Sequence, residues 1–246
     1  MGFAAGAGCI GGAMNALAGG GTFATLPALI ALGLPANFAN ATSNVALLPG
    51  AAASAYEFRD ELEPIGGVSV RLLAAITFVG GIVGSTLLVL TPTRAFDFII
   101  PWLLLFALSA MLFGKRASDW LHQRLSIGRP SLLIAQCLLA VYGGYFGGGV
   151  GLMTTATYGL LAGVHPRSLF PVRTLMLAIA NFAAAILFIA VGLVRWPACV
   201  PMLAGAILGG WVGARLGKGL PLGLVRAWTL LVTAGTTVVF FIRAYG

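Results

Sequence analysis

Carboxylates are scarce in this chain: Asp and Glu number six in 246 residues, against fourteen Lys and Arg, two His and three Cys. Charged residues amount to 8% of the total, whereas a soluble domain carries roughly 25%. Such a chain cannot cover a water-facing surface. No enzyme motif is found either. There is no His-Glu-x-x-His, no Gly-x-Ser-x-Gly, and no Gly-Lys-Ser/Thr after a glycine run that would cradle ATP. Cys9, Cys137 and Cys199 lie in apolar segments without paired spacing and read as small core residues, so neither a disulfide framework nor a metal or other cofactor is expected. The first residues lack a basic stretch before their apolar run, which argues against a signal peptide. Gly6 stands where a myristoylation motif wants Ser or Thr.

What is present is hydrophobic. Apolar side chains make up 59% of the sequence, and the mean hydropathy is +1.01. Runs such as Val70–Leu90, Phe96–Phe113, Leu169–Leu193, Ala198–Val212 and Arg226–Ile242 approach or exceed the ~20 residues that span a bilayer. The fold class expected is all-α, a polytopic protein of a bacterial-type inner membrane. The net charge of +8 gathers in short loops. It is therefore read as membrane topology rather than nucleic-acid binding.

The chain repeats itself at an offset of about 130. Gly19 falls on Gly149, Gly21 on Gly151, Thr25 on Thr155, Gly33 on Gly163 and Leu47 on Leu177. One residue is lost in the following loop, after which Gly80, Gly81 and Gly84 meet Gly209, Gly210 and Gly213. Two homologous units are expected, 1–115 and 130–246, joined by a basic cytoplasmic linker, 116–129. Each unit has a first helix that runs into a glycine cluster and then a short apolar segment, Phe23–Leu34 or Leu152–Ala162. Three spanning helices follow, near 39–56, 70–90 and 96–113, then 168–193, 198–215 and 225–243. Gly80 with Gly84, and Gly209 with Gly213, have the spacing of close helix packing in lipid.

Gly19–Gly21 and the run Gly143–Gly151 are different. Each glycine weakens a helix by about 1 kcal/mol relative to Ala, so these clusters mark breaks. Unpaired backbone at membrane depth is tolerated only inside protein or against a water-filled cavity. Matched breaks in two repeats are the sequence pointer to a transporter site. If the broken segments are re-entrant, the second repeat is inverted; 11 of the 14 basic residues then lie with the linker, leaving Arg94, Arg195 and Arg243 opposite. Parallel repeats divide them 8 to 6. The positive-inside rule favours inversion.

The stretch "GGGTFATLPALIALGLPANFANATS" resembles the motif of the TauE/SafE family of membrane transporters, and "GGGVGLMTTATYGLLAGVHPRSLFPVRT" is a weaker second copy that keeps the glycines, Gly163 and Pro166. The second copy departs where Val172 and Arg173 stand opposite Thr42 and Ser43. The resemblance covers essentially the whole chain. It implies secondary transport, chiefly export, of small sulfur-containing anions such as sulfite, thiosulfate or organosulfonates. An anion channel, or a membrane scaffold without transport, would share much of the composition.

The candidate substrate-binding residues are Gly19, Gly20, Gly21, Thr22, Thr42, Ser43, Asn44, Gly149, Gly151, Arg173 and Thr174. Backbone N–H groups at the breaks can receive an oxyanion as helix N-termini do, although close packing would also use glycine. Thr42, Ser43 and Asn44 can bind anion oxygens or bond neighbouring backbone. Arg173 is either a cation for the substrate or a snorkelling headgroup anchor. Arg215 reads as an interfacial anchor, as do Trp102, Trp120 and Trp196; His165 reads as a loop residue and Glu57–Glu63 as a solvated loop. The partners expected are a small anion and the lipid bilayer, with no nucleic acid; a homodimer is compatible with this composition.

Overall fold

A computed structural model describes residues 1–122, 128–163, 168–217 and 222–246. The described residues form ten α-helices: α1 (Gly2–Ala18), α2 (Thr22–Ala31), α3 (Ala36–Glu57), α4 (Val70–Leu90), α5 (Thr93–His122), α6 (Arg129–Tyr145), α7 (Val150–Ala162), α8 (Phe170–Ala190), α9 (Trp196–Gly217) and α10 (Leu222–Tyr245). Five of them, α4, α5, α8, α9 and α10, contain stretches long and apolar enough to cross a membrane. The protein is thus all-helical and polytopic. The hydropathy reading placed α4 at its observed ends. It stopped α5 at Phe113, whereas the helix continues into the basic segment as far as His122. His165 and the remainder of the linker at 123–127 lie outside the described residues.

Both glycine clusters break the chain as expected. Gly19 closes α1 in the left-handed conformation, φ 73°, with its N–H donating to the Asn15 carbonyl. Gly149 opens α7 at φ 76°. These are backbone states that a side chain disfavours. α2 carries Pro27 in its interior. Proline removes the amide that would bond the carbonyl four residues back, which is that of Phe23. The freed oxygen accepts instead from the Thr236 hydroxyl of α10, at 3.1 Å. The carbonyl that Pro27 leaves free is therefore satisfied from another helix, as unpaired backbone in lipid must be.

Helix packing rests on the glycines. A Cβ at Gly8 or Gly12 of α1 would strike the backbone at Met202 or Ala206 of α9, and one at Gly205 or Gly209 would strike Ala5 or Cys9. Contact numbers rise together, so α1 and α9 run in the same direction. α4 and α6 do likewise: Gly80 meets Ala140, and Gly84 meets Val141 and Tyr145. At the centre α3 crosses α8 in the opposite sense, with Asn44 bonded to Asn181 and Ala51 and Ala55 clustered with Leu177 and Ala178. α8 is the most enclosed of the five apolar spans, 67% buried against 28–39% for the others. α5 and α10 pair antiparallel through Trp102, whose indole donates to the Tyr245 hydroxyl at 2.9 Å, while that hydroxyl donates to the Phe98 carbonyl.

Two cysteines depart from the sequence reading. Cys199 is buried, but Cys9 and Cys137 are exposed on the helix bundle. In a bilayer an apolar side chain loses nothing by facing the acyl chains, so apolar character does not distinguish core from periphery. Among the anchors, Trp196 is exposed, Arg215 lies 3.8 Å over the Trp211 ring, and the Trp120 side chain is outside the described residues. The acidic segment has its charged residues exposed, and Arg59 and Asp60 pair there at 3.6 Å.

Candidate functional site

The two breaks meet. A Cβ placed on Gly19 would lie 2.8 Å from the Gly151 Cα, and one on Gly151 would lie 2.9 Å from the Gly19 Cα. The C-terminal end of α1 and the first turn of α7 are thus in backbone contact, with every glycine of the two clusters' candidate set buried. Gly149 and Gly20 both lie against the Phe23 ring. Gly21 is enclosed by Gly11, Asn15 and Leu47, so its missing side chain serves the α1–α2 hairpin. Thr22, the first residue of α2, is buried.

Arg173 stands on this junction. Its Cδ lies 3.5 Å from where a Gly151 Cβ would be, and its guanidinium carbon lies 4.3 Å over the Phe170 ring. The residue is 7% exposed. Nε and Nη2 are buried and have no hydrogen-bond partner among the described residues. A side chain reaching for headgroups would expose its head; this one does not. Burying a cation whose N–H donors lack acceptors is costly, and the face of the Phe170 ring offsets only part of that cost.

The polar triplet of α3 is divided among three neighbours. The Thr42 hydroxyl accepts from the Arg195 amide at 3.0 Å, at the start of α9. Ser43 pairs with Thr25 of α2, oxygen to oxygen 2.5 Å. Asn44 turns to α8, where its Nδ2 donates to the Asn181 Oδ1 at 3.2 Å. Thr174 bonds back to the Pro171 carbonyl at 2.9 Å. The fold therefore gathers Gly19, Gly20, Gly149, Gly151 and Arg173 at one place and sets Thr42 and Thr174 in structural bonds elsewhere. Asn44 reaches α8 at Asn181, eight residues, ~12 Å of helix, from Arg173.

Thr25, Asn40 and Asn181 were not singled out by sequence reasoning. Thr25 had a signal in its repeat partner, Thr155. Each hydroxyl donates to a glycine carbonyl four residues back, Thr25 to Gly21 and Thr155 to Gly151, holding the first turn after each break. The asparagines have no counterpart under the 130-residue offset, since Phe170 and Ala51 occupy the matching positions.

The family described as "Sulfite exporter TauE/SafE" matches residues 4–240. A protein of Escherichia coli strain K12 named "Probable membrane transporter protein YfcA" is 30% identical over 225 residues, covering 91% of this chain and 82% of that one. A "Probable membrane transporter protein" of Haemophilus influenzae is 30% identical over 228 residues, covering 90% and 88%. A "Probable membrane transporter protein ORF9" of Sinorhizobium sp is 25% identical over 245 residues, covering 93% and 87%. No solved structure matches. With its apolar spans and near-complete match, the chain belongs to the TauE/SafE family and is a multi-pass membrane transporter of the bacterial inner membrane.

Proposed function

We propose that this transporter exports small sulfur-containing oxyanions, such as sulfite, thiosulfate or organosulfonates, and that they bind where the two glycine breaks meet. The observation that carries the reading is Arg173, buried at that junction with two guanidinium nitrogens unpartnered among the described residues. Nε and Nη2 form one edge of the guanidinium fork, which matches two oxygens of one anion. Gly149 and Gly151 open the N-terminus of α7 beside it, adding the positive end of a helix dipole. The family description names sulfite. An inside-negative potential favours outward movement of a monoanion by ~2.3 kcal/mol per 100 mV.

The reading includes inverted repeats, 1–115 and 130–246. Its support is the pattern of packing: α1 with α9 corresponds to α6 with α4, α3 with α9 to α8 with α4, and α5 with α7 to α10 with α2. α3 and α8, which correspond, run in opposite senses. Under such a relation Ser43, bonded to Thr25, and Arg173, beside Gly151, occupy equivalent positions on opposite sides of the centre. A substrate leaving Arg173 would meet the hydroxyl pair on the way out.

Reconstituted vesicles loaded with radiolabelled sulfite or taurine test the assignment. Losing a charged hydrogen-bond partner costs ~1.5–3 kcal/mol, so Arg173→Ser should weaken the apparent affinity roughly tenfold to a hundredfold. Arg173→Lys, a point charge without the fork, should recover only part. Transport by both variants at the parent's level would remove Arg173 from the site.

A further inference from the structure

Charge is sparse along the apolar spans, yet three charged side chains share one cavity. Arg94 and Asp97 near the start of α5 and Arg243 in the last turn of α10 line it with Phe98, Phe240 and Ala244, around a space of about 180 Å³. Phe240 belongs to the buried core, whereas Arg94 and Arg243 are exposed, so the guanidinium groups form the outer rim. The charges are incompletely paired. Arg243 Nη2 and Asp97 Oδ1 lie 3.8 Å apart, too far for a hydrogen bond, and Arg94 has no partner among the described residues. Two guanidinium groups against one carboxylate leave a positive excess, with an acceptor beside it.

The position of the cavity adds to this. α5 contains a complete apolar span, Thr93–Phe113, so Arg94 lies across the membrane from the linker. The positive-inside rule leaves that side few Lys and Arg, and inverted repeats leave it three, two of which stand at this cavity. That count depends on the inverted arrangement; the cavity does not. A row of rings continues from the charges. Phe98, Trp102 and Phe106 follow Arg94 at intervals of four along one side of α5, over ~12 Å of helix, and all three are exposed. The Tyr245 hydroxyl holds the Trp102 indole, and the Tyr245 ring packs 5.5 Å from Phe98. Exposed rings on a spanning helix face acyl chains and headgroups. A charged rim with a lipid-facing apolar row beneath it matches the two ends of a phospholipid, which a soluble anion does not have.

We propose that the cavity between α5 and α10 binds the headgroup of an ethanolamine phospholipid from the leaflet opposite the linker. Arg94 and Arg243 take the phosphate oxygens, to which guanidinium geometry is suited. Asp97 takes the ammonium, and one acyl chain runs along the row from Phe98 to Phe106. Basic pockets between spanning helices hold lipid headgroups in other membrane proteins. A lipid so placed ties α5 to α10, the helices that pack on α7 and α2, and so braces the segments that follow the two glycine breaks.

The test uses the full-length, delipidated protein in detergent with no sulfur anion present, so that it stands or falls apart from the Arg173 site. Native mass spectrometry measures binding of phosphatidylethanolamine and of phosphatidylglycerol with the same chains. Glycerophosphoethanolamine, the headgroup without chains, is the third probe. The first phosphatidylethanolamine should bind more tightly than the first phosphatidylglycerol, and the chainless probe should not bind at the same concentration. Arg94→Gln and Arg243→Gln should each lower the phosphatidylethanolamine affinity roughly threefold to tenfold. Asp97→Asn should remove the preference between the two lipids without weakening phosphatidylglycerol. Arg71→Gln, at an exposed arginine at the start of α4, should change neither. All four side chains are at least partly exposed, so these variants should fold. Equal affinity of the parent for the two lipids, unchanged affinity in the Arg94 and Arg243 variants, or an equal loss in Arg71→Gln would overturn the proposal. Binding of the chainless probe as tightly as the lipid would reveal a site for soluble phosphoesters and would overturn it too.

Discussion

Gly19 and Gly151 provide the most direct test of whether the breaks meet. Gly19→Ala meets two obstacles. Its backbone lies at φ 73°, where an L-residue costs ~1–2 kcal/mol. Its new methyl would sit 2.8 Å from the Gly151 Cα, which is backbone and cannot swing aside. Overpacking of this kind costs ~1–3 kcal/mol, so the two terms together reach ~2–5 kcal/mol. Gly151→Ala has only the steric part, since its φ is not positive, and should cost ~1–3 kcal/mol. Gly20→Ala is the control. Its methyl would press on the Phe23 ring at 3.1 Å, a side chain that can rotate away, and the cost should stay below ~1 kcal/mol. At ~2–4 °C per kcal/mol for a chain of this size, thermal unfolding in detergent should drop by roughly 4–20 °C for Gly19→Ala. The double variant Gly19→Ala/Gly151→Ala should fall short of additivity, because either methyl alone forces the same separation. If Gly19→Ala and Gly151→Ala unfold and transport like the parent, the breaks are not in contact and the junction cannot be the site.

Tyr158 donates to Gln136 at 2.7 Å, and Gln136 donates to Thr77 at 2.6 Å, in a buried chain linking α7, α6 and α4. Tyr158→Phe leaves the Gln136 oxygen unpaired and should cost ~1–3 kcal/mol, read as a lower thermal midpoint; an unchanged midpoint would mean that Gln136 finds another donor. Inverted repeats place the α3–α4 and α8–α9 connections on opposite sides of the membrane. In a cysteine-free background, Glu61→Cys and Val191→Cys, both exposed, should label with an impermeant maleimide from opposite faces, and labelling from one face would restore parallel repeats.

Long elements were legible because lipid sets their length: the apolar run Val70–Leu90 is α4, residue for residue. The breaks were legible because consecutive glycines cannot continue a helix cheaply, and both Gly19 and Gly149 adopt left-handed backbone. Arg173 stood out because a cation stands there opposite Ser43 of the first repeat. Its burial could not be read, since a cation near a helix start can turn inward or outward at equal sequence cost. Cys9 and Cys137 were unreadable for a related reason, because lipid and protein interior are alike to an apolar side chain.

The polar triplet divides the two kinds of information most clearly. The sequence by itself determined that three hydrogen-bonding side chains occupy consecutive positions 42–44, within a helix, after a glycine break and a short apolar segment. Consecutive helical residues point about 100° apart, so the three must face three directions. Which neighbour stands in each direction is set by packing among helices distant in the chain. Thr42 met the first amide before α9, Ser43 met Thr25 of α2, and Asn44 met Asn181 of α8. Local chemistry supplied the donors and acceptors, and only the tertiary structure decided what each would bind.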